Sequence, residues 1–198
     1  MKKSTKTTAI TIIFMAIITA VVIFFYFKTT QNVTDEETVA KTEIEKLLKK
    51  DMENNYPGTP KEVLKLYGRM TQCLYNDELN QKQIEGLLEQ IRKMYDDELL
   101  EVNPWDKHLK ALCEDILDYR DNKRTIMSYS VQKSSQVKFV KMDNKEYAIT
   151  YILFMTGDNT SPLIKNCEKF MLRKDSSDNW KIVGWELVDP DTVEIGEY

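Results

Sequence analysis

The side chains best suited to chemistry are few, and their spacing gives them little company. His108 is the one histidine in the sequence. A histidine base needs an orienting partner and a nucleophile within reach. The serine-rich stretch from Ser128 to Ser135 supplies no such nucleophile, because it has no GxSxG context. Cys73, Cys113 and Cys167 are an odd count at wide spacing, with no CxxC pair. They are expected to be free thiols acting as small hydrophobes, with a Cys73–Cys113 bridge left open. Cysteine and histidine are the right ligand types for zinc. Here, however, His108 and Cys113 stand five apart on an expected helix, about 140° around its axis. The expectation is no catalytic residue, no metal and no cofactor.

Two other groups invite a binding role. Asp96, Asp97, Glu98, Glu101 and Asp106 crowd the end of an expected helix, without the DxDxDG register of a calcium loop. A solvated face is expected of them, with Asp106 supporting the start of the next helix. Trp180 and Trp185 are five apart on an expected strand and should point to opposite faces. One should lie in the core under the helices. The other, with Tyr129 or Tyr151 beside it, is the candidate for lining a pocket, with core packing as the ordinary alternative. An enzymatic cavity on the sheet would have Ser128, Ser130, Glu146, Thr150 and Glu168 as its polar members.

What positions these residues follows from patterning. The chain has 198 residues, 42% hydrophobic and 30% charged, which suits one folded domain with an appendage. Residues 1–28 hold four lysines and no acid, so the remainder is the acidic part. An acidic domain lacks the clustered bases that nucleic-acid binding requires. Between Ala9 and Phe27 runs AITIIFMAIITAVVIFFYF, 19 residues without a charge. As a helix it would reach about 28 Å, the thickness of a bilayer's hydrocarbon layer. Lys2, Lys3 and Lys6 before it favour a cytoplasmic N-terminus. A cleaved signal peptide is the rival, but it should have a shorter core and a small-residue cleavage site. The expected organisation is a basic tail (1–8), a transmembrane anchor (9–27), a linker (28–33), an extracytoplasmic domain (34–190) and an acidic tail (191–198).

Within that domain, helix signals come first. Thr34-Asp35-Glu36-Glu37 reads as a capping box opening a helix to about Asn54. Thr59-Pro60 opens a second, in which Gly68 asks for close packing against a neighbour. A third is expected over about 80–99, and a fourth from Asn103-Pro104-Trp105-Asp106 to about Tyr119. From Thr125 the period changes to two. Strands are expected over 126–131, 137–142, 145–156, 163–174 and 180–188, with turns at Asp143-Asn144 and 175–179. The third strand is apolar on both faces and should be central and covered on both sides. The expected fold class is therefore α+β. It comprises an N-terminal transmembrane helix, then about four helices packed on an antiparallel meander of four to five strands, by analogy NTF2-like or cystatin-like.

Four strings taken in order, NNYPGTPKEVLKLYGRMTQCLYND (54–77), MYDDELLEVNPWD (94–106), KRTIMSYSV (123–131) and FMLRKDSSDNWKIVGWEL (170–187), carry a resemblance. The chain resembles an uncharacterised family of small, N-terminally anchored proteins from clostridia and related Gram-positive bacteria. The resemblance implies a Gram-positive cell surface and a single-span anchored domain, and it brings no activity and no site residues. Residue types and resemblance together lead to a membrane-anchored, extracytoplasmic, non-enzymatic module that binds a protein partner or small ligand. Two alternatives stand beside it. One is an assembly component of a secretion or conjugation machine, and the other a small hydrolase or isomerase using an NTF2-like cavity.

Overall fold

The computed structural model describes residues 43–158, 163–193 and 195. The chain divides into two compact units, Met1–Glu45 and Lys46–Tyr198. Of the first, residues 43–45 are described, and they are helical. The expected tail, anchor, linker and first capping box lie outside the described residues.

The fold-class expectation is corrected at its N-terminal element. Among the described residues no helix is long and apolar enough to cross a membrane. The longest, at 17 residues each, are one-sided, with an apolar stripe on one face and charges on the other, whereas a span needs about 20 apolar residues. What stands is an α+β domain of five helices and one five-stranded antiparallel sheet among the described residues.

Helix α1 covers residues 43–48 and ends well before Asn54. Asp51 is the reason. Its carboxylate accepts the backbone N–H groups of Glu53 and Asn54 at 3.0 and 2.9 Å, fixing a turn in place of a further helical one. Helix α2 (Pro60–Asn76) begins as its sequence requires. Thr59 Oγ1 accepts the Glu62 N–H at 3.2 Å, and Pro60 occupies the first turn, where a missing N–H costs nothing. Val63, Leu64, Met70 and Leu74 on its inner face are at most 2% exposed. Burial of each contributes about 1.5–3 kcal/mol. Helix α3 (Gln81–Arg92) opens on a reciprocal Asn80–Gln83 capping box.

Gly68 has the close neighbour its place in α2 calls for. A Cβ there would come within 2.6–2.9 Å of the Tyr129 ring and Ile152 Cδ1. The Tyr129 hydroxyl donates to the Lys65 carbonyl at 3.2 Å, which holds the ring against the helix. Gly68→Ala should therefore destabilise by about 1–3 kcal/mol from overpacking, despite alanine's helix propensity. Equilibrium urea unfolding would measure this, and a stabilised variant would contradict the packing argument.

The expected third helix is two. After Arg92 the chain leaves the helix and lays residues 94–96 along the sheet edge. There Ile182 donates to the Met94 carbonyl at 2.7 Å, and Asp96 donates to the Ile182 carbonyl at 2.8 Å. Asp96 then caps the short helix α4 (Asp97–Val102) by accepting the Glu98 N–H. Asp96, Asp97 and Glu98 thus stand at a helix start, where the dipole favours them. Asp96 itself is not solvated. It is 6% exposed and takes two hydrogen bonds from Arg173, at 3.1 Å from Nε and 2.5 Å from Nη2. Helix α5 (Trp105–Asp121) has Pro104 as its N-cap without a side-chain bond, since Asn103 donates to the Leu99 carbonyl instead.

The strands fall within a residue of expectation. They are β1 (Thr125–Val131), β2 (Lys138–Met142), β3 (Lys145–Gly157), β4 (Ile164–Lys174) and β5 (Trp180–Val188). Asp143 and Asn144 both take positive φ, 49° and 61°, the geometry of a tight hairpin turn. The meander is modified at one place. β1 and β2 do not pair with each other; both pair with β3, one after the other along the same edge. They act as one long strand broken by the 3-10 turn Ser134–Gln136. β3 is central, but it is not covered equally on its two sides. Ala148, Thr150, Ile152, Phe154 and Thr156 are buried, while the alternate residues are only half-buried. Helix α2 packs on β1 and β3, so the buried set marks the helix side.

Candidate functional site

On the helix side of the sheet, α2, α3 and α5 do not close completely over β4 and β5. A cavity of about 480 Å³ remains. Its walls are aromatic: Tyr67 and Tyr75 from α2, Tyr95 after α3, Tyr119 from α5, and Phe154 and Trp185 from the sheet. Trp185 stacks on Phe170 at 5.5 Å between ring centres and 16° between planes. It also lies 5.8 Å from Tyr95 and 6.3 Å from Tyr67. Tyr75 and Tyr119 meet at 4.5 Å.

Glu168 brings a carboxylate into this apolar setting. It stands opposite Ile152 on β3 and Leu187 on β5, on the same face as Phe170. Its Oε2 is shut from solvent with no hydrogen-bond donor to it, although the residue as a whole still lines the cavity. Burial alone pushes the carboxyl up to about 7, as expected of an acid without a compensating cation. The surrounding phenols are raised in turn. For Tyr67, Tyr75, Tyr95 and Tyr119 burial is the first cause, and the charge of Glu168 adds to it. All four are neutral donors at physiological pH.

His108 lies on the cavity wall and stacks on Tyr95 at 5.8 Å and 11°. Arg92 Nη1 lies 3.1 Å from its Nδ1. A guanidinium can only donate, so Nδ1 is the acceptor and the neutral ring carries its proton on Nε2. Burial, then the Arg92 charge, holds His108 below the usual histidine value. The ring's one basic nitrogen is therefore occupied, and it cannot take a proton from a ligand in this arrangement. Arg124, the cation on the cavity lining, pairs with Asp118 and lies over the Tyr119 ring at 4.6 Å.

The sequence-predicted pocket residues are not brought together. Trp185 lines the cavity just described. Trp180 is 6% exposed and packs against Phe139 beside a shallower depression, while Tyr129 lines a separate cleft. Tyr151 is on the opposite face of the sheet, across from Lys169. The expectation that the two tryptophans face opposite ways is corrected. Leu172 pairs with Ile182 but Met171 pairs with Gly184, so Val183 is an extra residue. That bulge flips the alternation and puts Trp180 and Trp185 on the same face. Of the polar strand residues, Thr150 is fully buried with its hydroxyl unpartnered, and Glu146 pairs with Lys174 at 3.0 Å. Ser128 and Ser130 stand opposite Met155 and Leu153, away from the helices.

The cleft that Tyr129 lines is the larger space, about 910 Å³, with Lys50, Lys61, Lys65, Arg69 and Lys133 around it. Lys65, Arg69 and Lys133 are exposed, and the Lys50 amine is bonded to the Asn55 carbonyl at 2.8 Å. Solvated lysines make a weak recognition surface compared with a partly enclosed aromatic one. Cys73, Cys113 and Cys167 are not joined by disulfides. Among the described residues no three His, Cys, Asp or Glu side chains gather to hold a metal ion.

The geometry defines a class of protein: an α+β domain whose helical layer leaves an aromatic cavity against one face of an antiparallel sheet, with a carboxylate in its floor. Within that class, the chain belongs to the family described as Domain of unknown function (DUF6715), which matches residues 1–185. The sequence resemblance is thereby confirmed to the extent of a family of unknown function. No curated protein matches the chain.

Proposed function

We propose that this domain is a non-enzymatic binding module whose aromatic cavity takes a small ligand. The observation that carries the reading is a cavity of about 480 Å³ that leaves large apolar side chains uncovered. Leu187 is 73% and Trp185 41% exposed, and both line it. Ligand pockets commonly fall between about 300 and 1,000 Å³, with apolar walls and a few polar groups. Apolar surface left open at such a place is what the body of a ligand would cover.

A neutral apolar dye, N-phenylnaphthylamine, tests this on the full chain. Its fluorescence should rise on binding, and Trp185→Ala should weaken the affinity several-fold while the far-UV spectrum is unchanged. No binding, or binding indifferent to Trp185, would remove the reading. A second reading, a small hydrolase or isomerase, is favoured by Glu168 alone, since a carboxyl near 7 is tuned for proton transfer. Turnover of an ester panel that disappears in Glu168→Gln would establish it in place of the first.

For the setting of the module we propose the outer surface of a Gram-positive cell. This rests on the resemblance carried by residues 54–77, 94–106, 123–131 and 170–187. Protease added to intact cells should then degrade the domain, and a domain left whole would count against that setting.

A further inference from the structure

We propose that the ligand of this cavity is a small protonated amine with an apolar body, its ammonium group seated on Glu168 and its body against Trp185. The inference rests on the cavity being a ligand site and goes further by naming the chemistry that the site selects.

Three observations converge on a cation. First, Glu168 lines a cavity of mixed polar and aromatic walls, and one of its oxygens, itself closed to solvent, has no donor and no ion pair among the described residues. A buried charge of that kind is costly until an opposite charge meets it. Second, the walls are aromatic faces, whose negative π clouds attract ammonium groups. Tyr95 and Tyr67 lie 5.8 and 6.3 Å from Trp185, so that a ligand against Trp185 has further aromatic rings within reach. Third, the cations that line the cavity or border it have partners other than Glu168, although the Arg124 Nε is buried without one. Arg124 pairs with Asp118, and Arg92 is bonded to the Asn103 carbonyl at 2.7 Å and to His108. None of these arrangements puts a positive charge on Glu168.

An anionic ligand is disfavoured by the same groups. It would meet Glu168 and Asp115, both of which line the cavity. A neutral apolar ligand would leave the carboxylate without a partner. A protonated amine satisfies the carboxylate with a charge-assisted hydrogen bond while its body covers Trp185 and Leu187.

A pH dependence follows, and the groups around Glu168 determine its form. Lining the same cavity are Tyr67, Thr71 and Tyr75 from α2, Tyr95 after α3, and His108, Asp115 and Tyr119 from α5. Arg124 stands before β1, Thr156 on β3, Asn166 on β4, and Trp185 and Leu187 on β5. The phenols, all raised by burial, stay neutral between pH 6 and 8. His108 is held below its usual value by burial and then by the Arg92 charge, which favours its neutral form. Glu168, pushed up to about 7 by burial, changes charge in that range. An alkylamine remains protonated throughout. Affinity for it should therefore fall about tenfold from pH 8 to pH 6, as Glu168 takes up its proton.

Isothermal titration of the full chain with phenethylamine, and with 2-phenylethanol as its neutral counterpart, tests the proposal. The amine should bind about tenfold more tightly or better at pH 8, the difference a charge-assisted hydrogen bond makes. Glu168→Gln should abolish that preference and flatten the pH profile while the far-UV spectrum stays unchanged. If alcohol and amine bind the wild type equally, or if Glu168→Gln keeps the preference, the amine assignment is wrong and the cavity remains a ligand site. If neither compound nor the neutral dye binds, the assignment and the cavity reading fail together.

Discussion

Asp96→Ala is expected to lower the stability of the domain by about 3–5 kcal/mol, the scale for stripping one partner from a buried ion pair. Arg173 would stay behind at 9% exposure. Its guanidinium donates to both oxygens of Asp96, which fixes its plane, and the Asp96 hydrogen bonds are the first cause that holds Arg173 above its ordinary value. Glu98 would remain as an acceptor at 2.9 Å, but its side chain is 64% exposed and orders Arg173 less well. The same substitution removes the cap of α4, worth about 1 kcal/mol more. Because the segment 94–96 is bonded to Ile182, the damage should spread to the β5 edge. Urea unfolding measures the loss, and a cost below about 1 kcal/mol would show that the pair is more hydrated than its burial implies. The double change Asp96→Leu with Arg173→Met should recover much of the loss, since it leaves no buried charge without a partner.

This pair also marks where sequence reading stops. Asp96 and Arg173 are 77 positions apart, and nothing local to either announces the other. Read alone, Asp96 belongs to an acidic run, for which a solvated face is the ordinary outcome. The break between α3 and α4 has the same origin. Apolar spacing continues through Met94 and Tyr95, but the main chain there is claimed by Ile182, which no helical period can foresee. The strands, in contrast, were legible almost to the residue. Alternation and turn chemistry are properties of neighbours, as at Asp143-Asn144 and in the loop before Trp180. One warning was present in the sequence and went unused. Gly184 inside a strand pattern is a common sign of a bulge, and the bulge beside it decides which way Trp185 faces. The cavity was therefore legible only as one tryptophan. Its carboxylate was visible as a polar residue in an apolar strand, but its isolation from any cation comes from packing alone.

That isolation gives Glu168 an unusual effect on stability. Its carboxyl lies near 4.5 in the ordinary state and is pushed up to about 7 in the fold by burial. The folded chain therefore holds this proton at pH values where the unfolded chain has lost it. Stability contributed through this group is present in full below about 4.5, declines as pH rises, and is gone above about 7. At about 1.4 kcal/mol per pH unit of separation the cost reaches about 3 kcal/mol, and water reaching a half-open cavity reduces it to about 1–3 kcal/mol. Glu168→Gln keeps the shape of the side chain and removes the ionisation. It should be more stable than the wild type by about 1–3 kcal/mol at pH 8 and equal to it near pH 4.5. Other titrating groups cancel in the difference between the two proteins, so thermal unfolding of both across that range isolates Glu168. A difference that does not change with pH would mean that the carboxylate is already compensated in the free protein. A gain confined to high pH would instead show a residue kept at a cost to the fold, which is the usual mark of a group retained for what it binds.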